Sequence, residues 1–187
     1  MAIIERVPRK VAGGAPKFWR GEAEVLPSGY RVKNMPPVGT VVDRGVLAYA
    51  DMRANECTLI PTARAIEPIA GTTLNVAKGH SLYVGAYLRA TVTVTAIDDS
   101  NSDKDIITLS ETIAGVGAGD VVFNNEKGKE ANVVVGAVFT VEKESRNVIT
   151  LAYGARVLHE IAAPCPPAWL VGGMCLKNNH EIKYINQ

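Results

Sequence analysis

Apolar and polar residues alternate with a period of two along most of this chain. From Thr91, Val92 and Val94 point one way while Thr91, Thr93 and Thr95 point the other. Valine on a dry face and threonine on a wet one is the pattern of a half-buried strand. "IITLS" resumes the alternation with Ile107 and Leu109 together, and "ANVVVGAVFTVEK" places Val133, Val135, Ala137, Phe139 and Val141 on one face. "NVITLAY" groups Ile149, Leu151 and Tyr153, and with the polar "EKESRN" between them residues 131–153 are expected to form a hairpin. Further strands are expected in "GEAEVL", "VGTVVDRGVLAYA", "CTLIPTARAI", "SLYVGAYL", "DVVF", "ARVLHEI" and "EIKYI". Gly, Pro and Asn clusters such as "NMPPVG", "GVGAGD", "NNEKGK" and "APCPP" mark the turns between them. A helical period would need apolar residues three and four apart over ten or more positions, and Gly or Pro interrupts every candidate. The expected fold class is therefore all-β, a small barrel or sandwich.

The same pattern suggests an insertion. Residues 90–128 read as strand, acidic turn, strand, glycine turn and strand, so 17–89 and 129–187 are expected to pair with each other as the main β domain. Residues 1–16 hold Arg6, Arg9 and Lys10 with "AGGAP" behind them, and are expected to be a basic arm.

Composition narrows the functions. The 187 residues are 47% hydrophobic and 21% charged, which suits a globular chain able to build its own core. A net charge of +1 gives no bulk electrostatic case for nucleic acid or an anionic membrane, so neither is expected as a partner. Glu5 and Arg6 interrupt the start before an apolar core of a signal peptide could form, and no run of about 18 apolar residues offers a membrane helix. Cys57, Cys165 and Cys175 are too scattered for a disulfide framework and are expected to be reduced thiols.

The acidic turn "IDDSNSDKD" is the first chemical candidate. Asp99, Asn101, Asp103 and Asp105 alternate like the early ligands of a calcium loop. Such a loop needs glycine at its sixth place and glutamate at its twelfth, where this chain has Lys104 and Ser110. Asp, Asn and Ser also bond their own backbone in turns, so a hairpin tip is expected, with no metal. His80, His159 and His180 form no local ligand pair. The glycines of "GVGAGD" lack the spacing and the helix that a dinucleotide site needs, so no cofactor is expected. Trp19 and Trp169 each stand within a few residues of Gly or Pro and serve either as core or as anchors at a subunit contact. No triad or ligand spacing suggests catalysis.

Several motifs together carry a resemblance. "FWRGEAEVLPSGYRV", then "VAKGHSLYVGAYL", "VTAIDDSNSDKDIITLS" and "AGDVVF", then "ARVLHEI…PP…EIKYI", in that order over about residues 17–187, resemble the head fiber proteins of phages and prophages of Bacteroides-type bacteria. The outer segments are also similar in layout to capsid decoration proteins, which sit on the major capsid lattice as trimers. The resemblance implies a virion surface protein, made in the bacterial cytoplasm, that binds the phage major capsid protein and its own copies as a homotrimer, without catalysis. The chain has no heptads, collagen repeats or shaft motif, so "fiber" would describe position more than shape. On that expectation Arg6, Arg9, Lys10, Trp19 and Trp169 are the candidate binding residues. The alternative is a binding module for glycans or host-surface polymers, using exposed aromatics among Tyr30, Tyr83 and Tyr87; a cluster of them in one groove would favour it.

Overall fold

The structure is a computed structural model that describes residues 19–27, 29–89, 91–124, 128–143 and 148–186. It is all-β. Among the described residues the one helical turn is a 3-10 turn, Pro167–Trp169, where Pro166 and Pro167 leave no amide for a strand ladder. Among the described residues, no helix is long and apolar enough to cross a membrane. Arg6, Arg9 and Lys10, with the rest of the expected arm, lie outside the described residues.

The chain opens with β1 (Trp19–Val25), β2 (Tyr30–Val32), β3 (Val41–Val42), β4 (Leu47–Asp51) and β5 (Glu56–Ile60). It then makes an excursion through β6 (Thr62–Arg64), β7 (Thr73–Ala77), β8 (Tyr87–Leu88), β9 (Val92–Asp98), β10 (Lys104–Leu109) and β11 (Val121–Phe123). It returns as β12 (Val133–Val135), β13 (Phe139–Thr140), β14 (Val148–Ile149), β15 (Leu151–Leu158), β16 (Leu170–Val171), β17 (Cys175–Leu176) and β18 (Asn179–Ile185).

First and last stretches build one ten-stranded sheet in the order β14-β2-β5-β4-β12-β15-β18-β17-β16, with β1 also on β15; β3 and β13 form a separate pair. Two contacts in the large sheet are parallel, β2 with β5 and β15 with β18, and the rest are antiparallel. Both faces are covered. Leu47, Ile60, Val134 and Ala152 face a core with Trp169, Leu176, Ile182 and Tyr184. Their neighbours Ala48, Leu59, Val133, Val135 and Leu151 face a second core with Tyr30, Val32 and Val42. β12 is buried at all three positions for this reason, so its run of valines is a doubly covered strand. Each fully buried leucine or isoleucine contributes about 1.5–3 kcal/mol over its exposed state.

The excursion has its own core. Leu74, Val76, Leu88, Val94, Ile107, Leu109, Ile113 and Val122 pack together, and every buried member of this cluster lies between Ala63 and Val122. Its sheet runs β7-β10-β9-β8. At its base β6 and β11 pair, Thr62 opposite Phe123, so the chain leaves and re-enters at one point.

These pairings move the expected boundary. The sequence pattern places the inserted unit at 90–128, with residues 17–89 in the main domain. Yet β7 is hydrogen-bonded along its length to β10, Lys104 opposite Ala77 through Thr108 opposite Thr73. The excursion starts at Thr62. Pro61 is the cause: it divides "CTLIPTARAI", and β5 and β6 on either side belong to different sheets. The expected 131–153 hairpin is present only at its base, where Val134 and Val135 face Ala152 and Leu151. Beyond Gly136 the two arms part, β13 to β3 and β14 to β2.

Candidate functional site

A groove of about 490 Å³ runs where the excursion meets the large sheet. Its floor begins at the end of β2. There the parallel ladder with β5 stops after Lys33 N–H donates to Cys57 O at 2.9 Å. The Asn34 side chain continues it: its Nδ2 donates to Leu59 O at 2.7 Å, and its Oδ1 accepts from Leu59 N–H at 2.8 Å. An amide is the side chain suited to this, because it offers the donor and acceptor of a peptide group. Tyr83 reaches across from the excursion and its hydroxyl donates to Asn34 O at 3.4 Å. Burial pushes the Tyr83 phenol up to about 12, so it stays a neutral donor.

The opposite wall is the turn at 83–86. Ala86 N–H donates to Tyr83 O at 2.9 Å, Gly85 N–H to Val94 O at 2.8 Å, and Val94 N–H returns a bond to Ala86 O at 2.9 Å. Gly85 has φ of +90°, a conformation a side chain would strain. The pinned turn presents Val84 and Tyr87 outward, the latter 55% exposed. Lys33 and Lys129 complete the rim. Lys33 Nζ lies 2.9 Å from Glu56 Oε2, the lysine exposed and the glutamate partly buried.

A second cluster lies at the other end of β7. Asp105 is only 5% exposed. Its Oδ1 accepts from Lys78 Nζ, and its Oδ2 lies 3.2 Å from His80 Nε2. Lys78 Nζ also donates to Asp99 O at 3.2 Å, tying β7 to the acidic turn. A buried histidine–carboxylate pair is the arrangement that would suggest a catalytic base. A working base needs one ring nitrogen on the carboxylate and the other turned to the reacting group. Here the other, Nδ1, accepts from Leu82 N–H at 3.0 Å. Both nitrogens are engaged in holding the chain, with the proton on Nε2. The adjoining cleft, bordered by Arg64, His159 and Glu160, has about 100 Å³, below the roughly 300 Å³ of small-molecule sites.

The acidic turn joins β9 to β10 as a hairpin, as its sequence suggests. Asp98 Oδ1 accepts from Ser100 N–H at 3.0 Å, and Asn101 Oδ1 from Asp103 N–H at 2.8 Å. The Ser100 hydrogen bonds hold the Asp98 carboxyl below its ordinary range. Among the described residues no three His, Cys, Asp or Glu side chains gather as a metal would require. "GVGAGD" is a turn closed by Gly117 N–H on Asp120 Oδ2 at 2.7 Å.

The tryptophans separate. Trp169 is buried, edge-on to Phe123 with ring centroids 4.7 Å apart, which removes it from the candidate surface anchors. Trp19 is half-buried on β1 against the same core. Tyr30 is 4% exposed in the core and offers no surface, whereas Tyr83 and Tyr87 share the groove. Lys33, Asn34 and Lys129 carried no motif in the sequence; the one trace is a polar "KN" immediately after a strand, ahead of "PP".

No family model matches this chain, and neither does any curated protein or solved structure.

Proposed function

We propose that the protein is a structural accessory of an assembled phage head. It binds the capsid surface and its own copies, performs no catalysis, and resides on the virion. One observation supports this above the sequence resemblance alone: the motifs that carry the resemblance are in contact with one another. "WRGEAEV" and "ARVL" meet as β1 and β15, Trp19 opposite Val157, and "EIKYI" joins them in β18, Arg156 opposite Lys183. The Lys-Gly-His segment and the acidic hairpin meet at Asp105. Motifs far apart in sequence thus meet in the fold in two groups, as an ordered family signature would specify.

The test is cosedimentation with purified heads of the phage or prophage that encodes the chain, at two salt concentrations. Full-length protein is expected in the pellet, and a form lacking residues 2–14, with Arg6, Arg9 and Lys10, is expected to bind more weakly with its melting temperature kept. Absence of full-length protein from the pellet at both salts overturns the proposal. Equal binding by the two forms rejects the arm's part in it.

A second reading, a saccharide-binding module, is favoured by Tyr83 and Tyr87 lying in one groove. The two readings are compatible, since an accessory on a head surface can present a groove outward.

A further inference from the structure

We propose that the groove between Lys33 and Tyr87 binds an acidic saccharide. The inference rests on the saccharide reading of this groove and adds the class of sugar.

Size and rigidity come first. At about 490 Å³ the groove is within the range of ligand sites. Its floor and the wall at 83–86 are held before any ligand arrives: Asn34 is tied to Leu59 by two hydrogen bonds, Tyr83 to Asn34, and Gly85 to Val94. A site already in its bound shape loses little conformational freedom on binding.

Surface chemistry comes second. Tyr87 stands 55% exposed on a two-residue strand with no need to be there for the core. A tyrosine ring offers a broad apolar face and a polar tip at low entropic cost, which suits the C–H face and hydroxyls of a pyranose. Met35, Pro37 and Val84 continue the apolar floor.

Charge decides the class. The chain as a whole is near neutral, yet the groove holds Lys33 and Lys129 and, among its described lining residues, no carboxylate. Glu56 pairs with Lys33 from outside the groove, and with the Lys33 side chain 57% exposed the pair is screened by solvent, so a ligand carboxylate can compete for Lys33. An acidic peptide is the competing occupant. It would bind best by adding a strand, and the groove gives no suitable edge: β5 is paired on both sides, and β8 has two residues.

The experiment presents the full chain to immobilised oligosaccharides bearing uronate, sialate or sulfate groups, to matched neutral oligosaccharides, and to a polyglutamate peptide. At least one acidic saccharide is expected to bind, its neutral match to bind far less, and binding to fall as salt rises. Tyr87→Ala and Lys129→Gln are each expected to weaken binding about tenfold, and Tyr87→Phe to retain most of it, all with unchanged melting temperatures. Equal binding of a neutral match overturns the acidic class and leaves the saccharide reading standing. Absence of binding across every saccharide overturns both. Polyglutamate that competes as well as the sugars shows that the groove reads charge alone, and overturns the proposal.

Discussion

At the scale of the residue, two aspartates close in sequence have opposite roles. Asp103 sits in the exposed hairpin tip, and Asp105 is buried with Lys78 and His80. Removing one member of a buried pair leaves the other charge uncompensated, at a cost of about 3–5 kcal/mol. Asp105→Ala is therefore expected to lower unfolding free energy by that amount in urea titrations. Asp99→Asn with Asp103→Asn is expected to stay within about 0.5 kcal/mol, as exposed changes do. Added calcium is expected to leave the melting temperature of the unaltered protein where it was, and a large rise abolished by the double change would sink that expectation. Asp105 is expected with the polar hairpin tip, and the structure instead buries it within β10. The alternation that puts Ile107 and Leu109 on the dry face puts Asp105 there too. What the pattern lacked was the partners, because Lys78 and His80 meet Asp105 only through the register of β7 on β10. The thiols give a second expectation at this scale. Burial pushes Cys57 and Cys165 each up to about 12, so neither yields thiolate at pH 8, while Cys175 is only half-buried. Mass spectrometry after brief alkylation of the native protein is expected to find label on Cys175 alone. Rapid labelling at Cys57 would show that its core opens.

At the scale of the element, the strands were legible and their partners were not. Period two identified β9, β10 and β12 because each presents at least one dry face. It gave no warning at Pro61, where one apolar run serves two sheets, nor in "SLYVGAYL", where only Tyr87 and Leu88 are strand and the rest is the turn that walls the groove. Turns of that kind are made by backbone hydrogen bonds and a positive φ, which alternation does not record. One edge element bears on self-association. β16 and β17 end the large sheet as a hairpin whose tip, Gly172–Gly173, has positive φ at both glycines. Around it Val171 and Met174 stand 49% and 60% exposed. The self-association that we propose, a homotrimer on the sequence resemblance, can use this apolar tip. Light scattering at high micromolar concentration is expected to give three times the mass of one chain, and Val171→Lys with Met174→Lys to give one, with the fold by circular dichroism unchanged and melting lowered by the lost association. Monomer for the unaltered protein at that concentration counts against solution self-association.

At the scale of the whole molecule, the excursion is joined to the rest by the β6–β11 pair and carries a core of its own. Expressed alone, residues 61–124 are expected to melt cooperatively, with the modest stability of a domain of about 60 residues. Circular dichroism measures this, and a non-cooperative melt would show that the excursion relies on contacts such as that of Tyr83 with Asn34. Because Thr62 and Phe123 are neighbours, a short link between Pro61 and Asn124 closes the gap with little loop entropy. That adjacency has a historical consequence. A coding sequence cut at these two codons could lose the whole middle stretch, or receive a different one, without any strand of the large sheet changing its neighbours. Recombination at this junction would exchange the Tyr83–Tyr87 wall of the groove while leaving Lys33 and Asn34 on the large sheet in place.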